Sequence, residues 1–205
     1  MARARRRSDP PGTGETPENA RGGFLVVLLP GFGPEPEPGA NPAARGLITA
    51  ARIDRGPAVR RVLGWLAAAD FPVDAEARRF SLAVWPAGGW KRAVRGPEQV
   101  TELVRDSDDF VRLLAERRPS LLVLVSCYLF NALRDPALAE RVDAALGRTV
   151  EPARRLTSTR LRVEGERRER ALVLALPVPG PNTTPEFEEE LTDALRLFFA
   201  GTLDD

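Results

Sequence analysis

Apolar residues in this chain fall into short blocks separated by Pro, Gly and charge. Phe24 to Leu29 form one such block, stopped by Pro30-Gly31, the pattern of a strand buried on both faces. Pro57 opens a helix whose Val59, Val62, Leu63 and Leu66 share a face. Phe80 to Trp85, "FSLAVW", forms a second strand, ended by Pro86 and Gly88-Gly89. From Pro97 the spacing predicts a single longer helix through Arg117, with a stripe of Val100, Leu103, Val104, Val111 and Leu114. Leu121 to Val125 is the third strand and runs into a helical segment, "CYLFNALRD". Beyond it "DPALAERVDAALG" has helical spacing, and "RLTSTRLRVEGERRERALVLAL" reads as a hairpin turning at Glu164-Gly165. That leaves Ala171 to Leu176 as another core strand. In the closing helix Thr184 caps, Pro185 takes the first helical position and four glutamates crowd the first turn, where the helix dipole favours them. Phe187, Leu191, Leu195 and Phe198 form its apolar face.

Strands alternating with helices predict an α/β domain, a three-layer α/β/α sandwich with a mainly parallel central sheet. It would span residues 23–205 as a single domain. Residues 1–22 hold Arg, Pro, Gly and polar residues with almost nothing to bury, and read as a disordered basic tail. In sheets of this kind, ligands bind at the carboxyl ends of the strands. Three loops punctuated by Gly and Pro leave strands there, 30–46, 86–97 and 177–185, and are expected to converge on one edge.

Composition narrows the chemistry. A net charge of +1 predicts neither strong steering toward nucleic acid nor repulsion from it. Lys91 stands alone against 29 arginines, which fits either an arginine-biased genome or a surface for phosphate. The single cysteine, Cys127, excludes an internal disulfide and a cysteine-built zinc site, and its setting reads as that of a small buried hydrophobe. The chain has no histidine, which removes Ser-His-Asp and Cys-His catalysis and every His-ligated metal site. No metal or other cofactor is expected. No apolar run reaches the length of a membrane span and no signal-peptide core is visible, so a cytoplasmic protein is expected.

Three features of the loops could carry chemistry. Glu35 and Glu37 alternate with Pro34, Pro36 and Pro38; a rigidly held carboxylate could polarise water or bind a ribose, or the segment is simply a solvated acidic turn. Phe32 lies between Gly31 and Gly33, and Trp90 adjoins Lys91 and Arg92. Aromatics beside cations suit a stacked base and its phosphate, though ordinary packing and surface roles account for the same residues. The stretch "LPVPGPNTT" leads into the last helix; Pro179, Asn182, Thr183 and the adjacent backbone amides could hold an anion at its N-terminus, or form a rigid cap.

In order and spacing these features resemble the uracil-DNA glycosylase superfamily over roughly residues 24 to 199. "GFGP" (Gly31 to Pro34) is similar to its Gly-x-x-Pro motif after the first strand, "FSLAVWPAGGWKRAVRGPEQVTELV…LLAERRPSLLVLVS" to its strand, Pro-containing loop and helix leading to "RPxxxVxxG", and "LPVPGPN" to its His-Pro-Ser loop. The positions that carry the family's Asp, Asn or Glu are Phe32 and Gly33, and its catalytic histidine falls on Leu176. The resemblance therefore implies binding of DNA, a nucleotide or a base in a cleft at the sheet's carboxyl edge, with altered chemistry in which Glu35 or Glu37 would have to substitute.

A rival resemblance is to the pyroglutamyl peptidases. "GFGPEPEPGANPA" looks like their "GFGPF…NP", and "AGGWKRAVRGPEQV" like the glycine-rich segment before their catalytic Glu, here Glu98. "YLFN" puts Phe130 where "YLCN" would hold the nucleophile, and Pro177 stands nearest the place of the histidine. This resemblance implies an α/β protein without the Cys-His pair that serves as an interaction module, with a protein partner.

Overall fold

The computed structural model describes residues 22–32, 47–49, 57–73, 80–86, 95–158, 161–180 and 183–200. Seven strands form one sheet: β1 (Gly22–Leu28), β2 (Leu47–Thr49), β3 (Ser81–Val84), β4 (Pro119–Val125), β5 (Thr149–Thr157), β6 (Arg162–Arg168) and β7 (Leu172–Leu176). Among the described residues six helices accompany them: α1 (Pro57–Ala68), α2 (Glu98–Arg105), α3 (Asp108–Arg117), α4 (Cys127–Leu133), α5 (Ala139–Leu146) and α6 (Pro185–Ala200). The strand order is β2-β3-β1-β4-β7-β6-β5. β3, β1, β4 and β7 are mutually parallel, while β2 and the β5–β6 hairpin pair antiparallel at the two flanks. The fold is α/β with a mixed, mainly parallel sheet, as the alternation of patterns predicts. Of the expected tail, only Gly22 lies among the described residues, and it opens β1.

The central strands are apolar throughout because both faces are covered. Phe24, Val26 and Leu28 of β1 join a cluster with Val59, Val62, Trp65 and Leu66 of α1 and with Leu191, Leu195 and Phe198 of α6. The intervening Leu25, Val27 and Leu29 join a second cluster with residues of α2 to α5, among them Leu103, Leu114, Phe130 and Leu146. Side chains two residues apart share a face of a strand, so one six-residue apolar run supplies both clusters.

Two expectations are corrected. The single helix expected over 97–117 is two, with Asp106 leaving the helical region (φ −100°, ψ 39°) and a new helix starting at Asp108. The run Asp106-Ser107-Asp108-Asp109 explains the break, since short polar side chains favour helix ends over interiors. The hairpin does not turn at Glu164-Gly165: both lie inside β6, and the turn is at Ser158 to Leu161, closed by a Ser158 N–H to Leu161 carbonyl bond of 2.9 Å. Glycine stands at 165 because the Phe198 ring packs where a side chain would be, 2.6 Å from an ideal Cβ. β6 buries charged residues as well as apolar ones: Glu164, Glu166 and Arg168 are buried along with Val163. Arg168 Nε donates to Glu166 at 2.7 Å and Nη1 to Asp143 at 2.8 Å, while Arg155 and Arg162 bond Glu164. Buried charges of this kind persist only when paired.

Candidate functional site at the carboxyl edge of the sheet

Register places the last residues of the four parallel strands side by side: Val84 beside Leu28, Leu28 beside Val125, and Val125 beside Leu176. The loops after β1, β3 and β7 therefore leave from the same edge, joined there by the β4–α4 junction. From β1 the chain crosses to β3 on one side, then passes back over to β4 on the other. The order reverses between β1 and β4, and the crevice at such a switch point is where open α/β sheets bind ligands.

On the β1 side of that crevice the chain makes a tight turn, with the Phe32 N–H bonded to the Leu29 carbonyl at 3.2 Å. Gly31 sits at φ +89°, a region that favours glycine, and nothing lies within 4 Å of where its Cβ would be. The Phe32 side chain is 43% exposed, the only aromatic among the exposed large hydrophobics of the described residues. Gly33, Glu35 and Glu37 lie outside the described residues, as do Trp90, Lys91, Arg92 and Asn182.

On the β4 side the site contains residues the sequence reading did not assign to it. Ser126 is buried, and its Oγ accepts the Tyr128 N–H at 3.1 Å, so its oxygen is used in capping α4. Cys127 is the first residue of α4 and only half-buried. The fully buried role read from "LLVLVSCYLF" is therefore corrected: the apolar strand ends at Val125, before the cysteine. Phe130, one turn further on, is fully buried in the core.

The β7 side is held by α1. Arg61 Nη1 donates to the Gly180 carbonyl at 2.7 Å and to Thr183 Oγ1 at 3.4 Å. Thr183 Oγ1 in turn donates to the same Gly180 carbonyl at 2.8 Å. Trp65 Nε1 reaches Glu188 Oε1 at 3.3 Å, fastening α1 to the first turn of α6. The Phe187 N–H bonds Thr184 Oγ1 at 3.3 Å, as expected for the cap. Thr183 is thus engaged within the protein; of the four glutamates expected in the first turn beyond it, only Glu186 and Glu188 are there, since Glu189 and Glu190 fall in the next turn. Pro179 is half-buried in this same loop. Neither Arg61 nor Trp65 could be assigned from sequence, because each meets partners more than 100 positions away.

Trp85, at the end of β3, belongs to the core. Its ring stacks on Phe110 at 4.0 Å between centroids, and its Nε1 donates to the Asp106 carbonyl at 3.3 Å. Among the described residues no group of three or more His, Cys, Asp or Glu could hold a metal ion, and no helix is long and apolar enough to cross a membrane. Burial lowers the pKa of Arg117, against the raising effect of Glu116. Arg117 is the last residue of α3, just before β4, at the opposite edge from the crevice. Known protein families and curated proteins contain no match to this chain.

Proposed function

We propose that the chain is a cytoplasmic binding protein for DNA or for a nucleotide, taking an unstacked base into the crevice between the β1 turn and the β4–α4 junction. The exposure of Phe32 carries this reading. A large aromatic on a glycine turn at the switch point gives up core burial, and a sequence-tolerant stacking face is what a base offers in return; such stacking contributes about 1–3 kcal/mol per base. Gly31 lets the backbone approach the ligand, and Arg61 fixes the loop that forms the far wall. Lys91 and Arg92 would supply phosphate contacts. Base excision is not part of the proposal: Leu176 is a fully buried apolar strand end where the glycosylase family has its histidine, and electrostatic stabilisation of a departing base needs a group that can donate or carry charge.

The test is fluorescence-polarisation binding to single-stranded and duplex DNA, with and without uracil, across a salt series, with base release measured on the same samples. Binding that weakens steeply with salt, without base release, is expected. Absence of binding to every probe at low salt would refute the reading.

The runner-up is a pyroglutamyl-peptidase-like interaction module without the Cys-His pair. Salt-independent capture of a protein partner, with no DNA binding, would select it.

A further inference from the structure

At the other end of the sheet, away from the crevice, lies a cavity of about 530 Å³ between the C-terminal ends of α1 and α6 and the first residues of β4 and β7. The cavity is of the size that holds a small molecule. Its walls are apolar and aromatic: Leu121, Leu172 and the Phe71–Phe199 ring pair, stacked at 5.4 Å between centroids. At its mouth stand Asp70 and Arg196.

Asp70 is a locally poor choice twice over. The helix α1 closes with the Phe71 N–H on the Leu66 carbonyl at 3.0 Å and the Asp70 N–H on the Ala67 carbonyl at 3.1 Å. That bond pattern places Asp70 at the position where helices ordinarily end in glycine. Its φ is +65°, in the left-handed region. An acid there also faces the negative end of the helix dipole. Its one ion pair, Arg196 Nε to Oδ2 at 3.2 Å, leaves Oδ1 without a protein partner among the described residues. Residues that break local rules in this way are expected at functional positions.

Charge decides the ligand class. Arg196 is the guanidinium at the mouth and is already shared by Asp70, by Asp193 at 3.3 Å and by the Ala68 carbonyl at 3.0 Å. Two carboxylates face one cation, beside two aromatic rings that attract positive charge through their faces. We propose that this cavity is a second binding site, for a small apolar molecule carrying a basic amine, with Asp70 as its counter-ion. The apolar part fills the space over Phe71 and Phe199, and the ammonium donates to Asp70 Oδ1 while Arg196 keeps Oδ2.

The experiment is calorimetric titration of the full chain with octylammonium, octanol and octanoate. Octylammonium is expected to bind most tightly and octanoate most weakly. Asp70→Asn and Asp70→Gly should each lower octylammonium affinity at least tenfold, to the level of octanol. Asp70→Gly should at the same time raise the melting temperature of the free protein, because glycine suits the left-handed position. Ala200→Phe, at an exposed position on the cavity wall, should abolish binding of all three probes. Octanoate binding as tightly as octylammonium, an unchanged preference in both Asp70 variants, or no binding of any probe at millimolar concentration would each overturn the proposal.

Discussion

Adding a single methyl group at Gly165 tests how β6 and α6 fit together. An ideal Cβ there would lie 2.6 Å from Phe198 Cε1, 2.8 Å from Cδ1 and 3.0 Å from Leu174 Cδ2. Optimal carbon contacts are about 3.5–4.0 Å, so the ring has to retreat by roughly 1 Å. Phe198 belongs to the cluster that joins α6 to the sheet. Overpacking of this kind costs about 1–3 kcal/mol. Replacing glycine restricts the unfolded chain, which returns about 0.4–1 kcal/mol. The net expectation for Gly165→Ala is a loss of about 1–2 kcal/mol, or roughly 2–8 °C in melting temperature for a domain of this size. Urea denaturation should show a lower midpoint with an unchanged slope, since the surface exposed on unfolding hardly changes. In a Phe198→Leu background the methyl meets no ring, and the same substitution should become nearly neutral. A Gly165→Ala protein as stable as wild type, or an equal cost in both backgrounds, would refute the argument that the ring is what excludes a side chain.

Other sites give further expectations. Glu166→Ala leaves Arg168 buried and short of its 2.7 Å partner, and should cost about 3–5 kcal/mol in a denaturant melt. Arg117 is buried, its Nε has no hydrogen-bond partner among the described residues, and burial lowers its pKa. A lowered pKa in a cation means that the charged form is less stable in the folded protein than in the unfolded one, so Arg117→Met should be neutral or stabilising by up to about 1 kcal/mol at pH 7. Arg61→Ala removes two bonds to the Gly180–Thr183 loop; hydrogen exchange of the Thr183 amide should accelerate, while global stability falls by less than about 1 kcal/mol because the bonds are exposed.

What could be read from sequence follows from burial. β1, β4 and β7 are apolar on both faces, and each is visible as an unbroken run. β5 is exposed along almost its whole length and contains Pro152, so it carries no hydrophobic period to read. β6 was misassigned because its buried face is charged; Glu164-Gly165-Glu166 looks like a turn until Arg155, Arg134 and Arg168 are brought to it by the fold. At the crevice, Phe32 was legible because glycines on both sides of an aromatic after a buried strand are unusual as a mere connection. Arg61 and Cys127 were not: the first acts through a partner 119 residues away, and the second owes its half-exposure to where β4 stops. Asp70 had no sequence signal, since its position at the helix end depends on where α1 terminates.

The proposed base-binding crevice stands or falls on Phe32, and the most direct measurement compares wild-type and Phe32→Ala affinities for a short single-stranded DNA at fixed low salt. Phe32 is on an exposed turn, so the substitution should leave the melting temperature unchanged within about 2 °C. Loss of one stacked base predicts a fall in affinity of roughly 5- to 150-fold, corresponding to about 1–3 kcal/mol. Equal affinities of the two proteins would contradict the account, even if the chain binds DNA elsewhere on its surface.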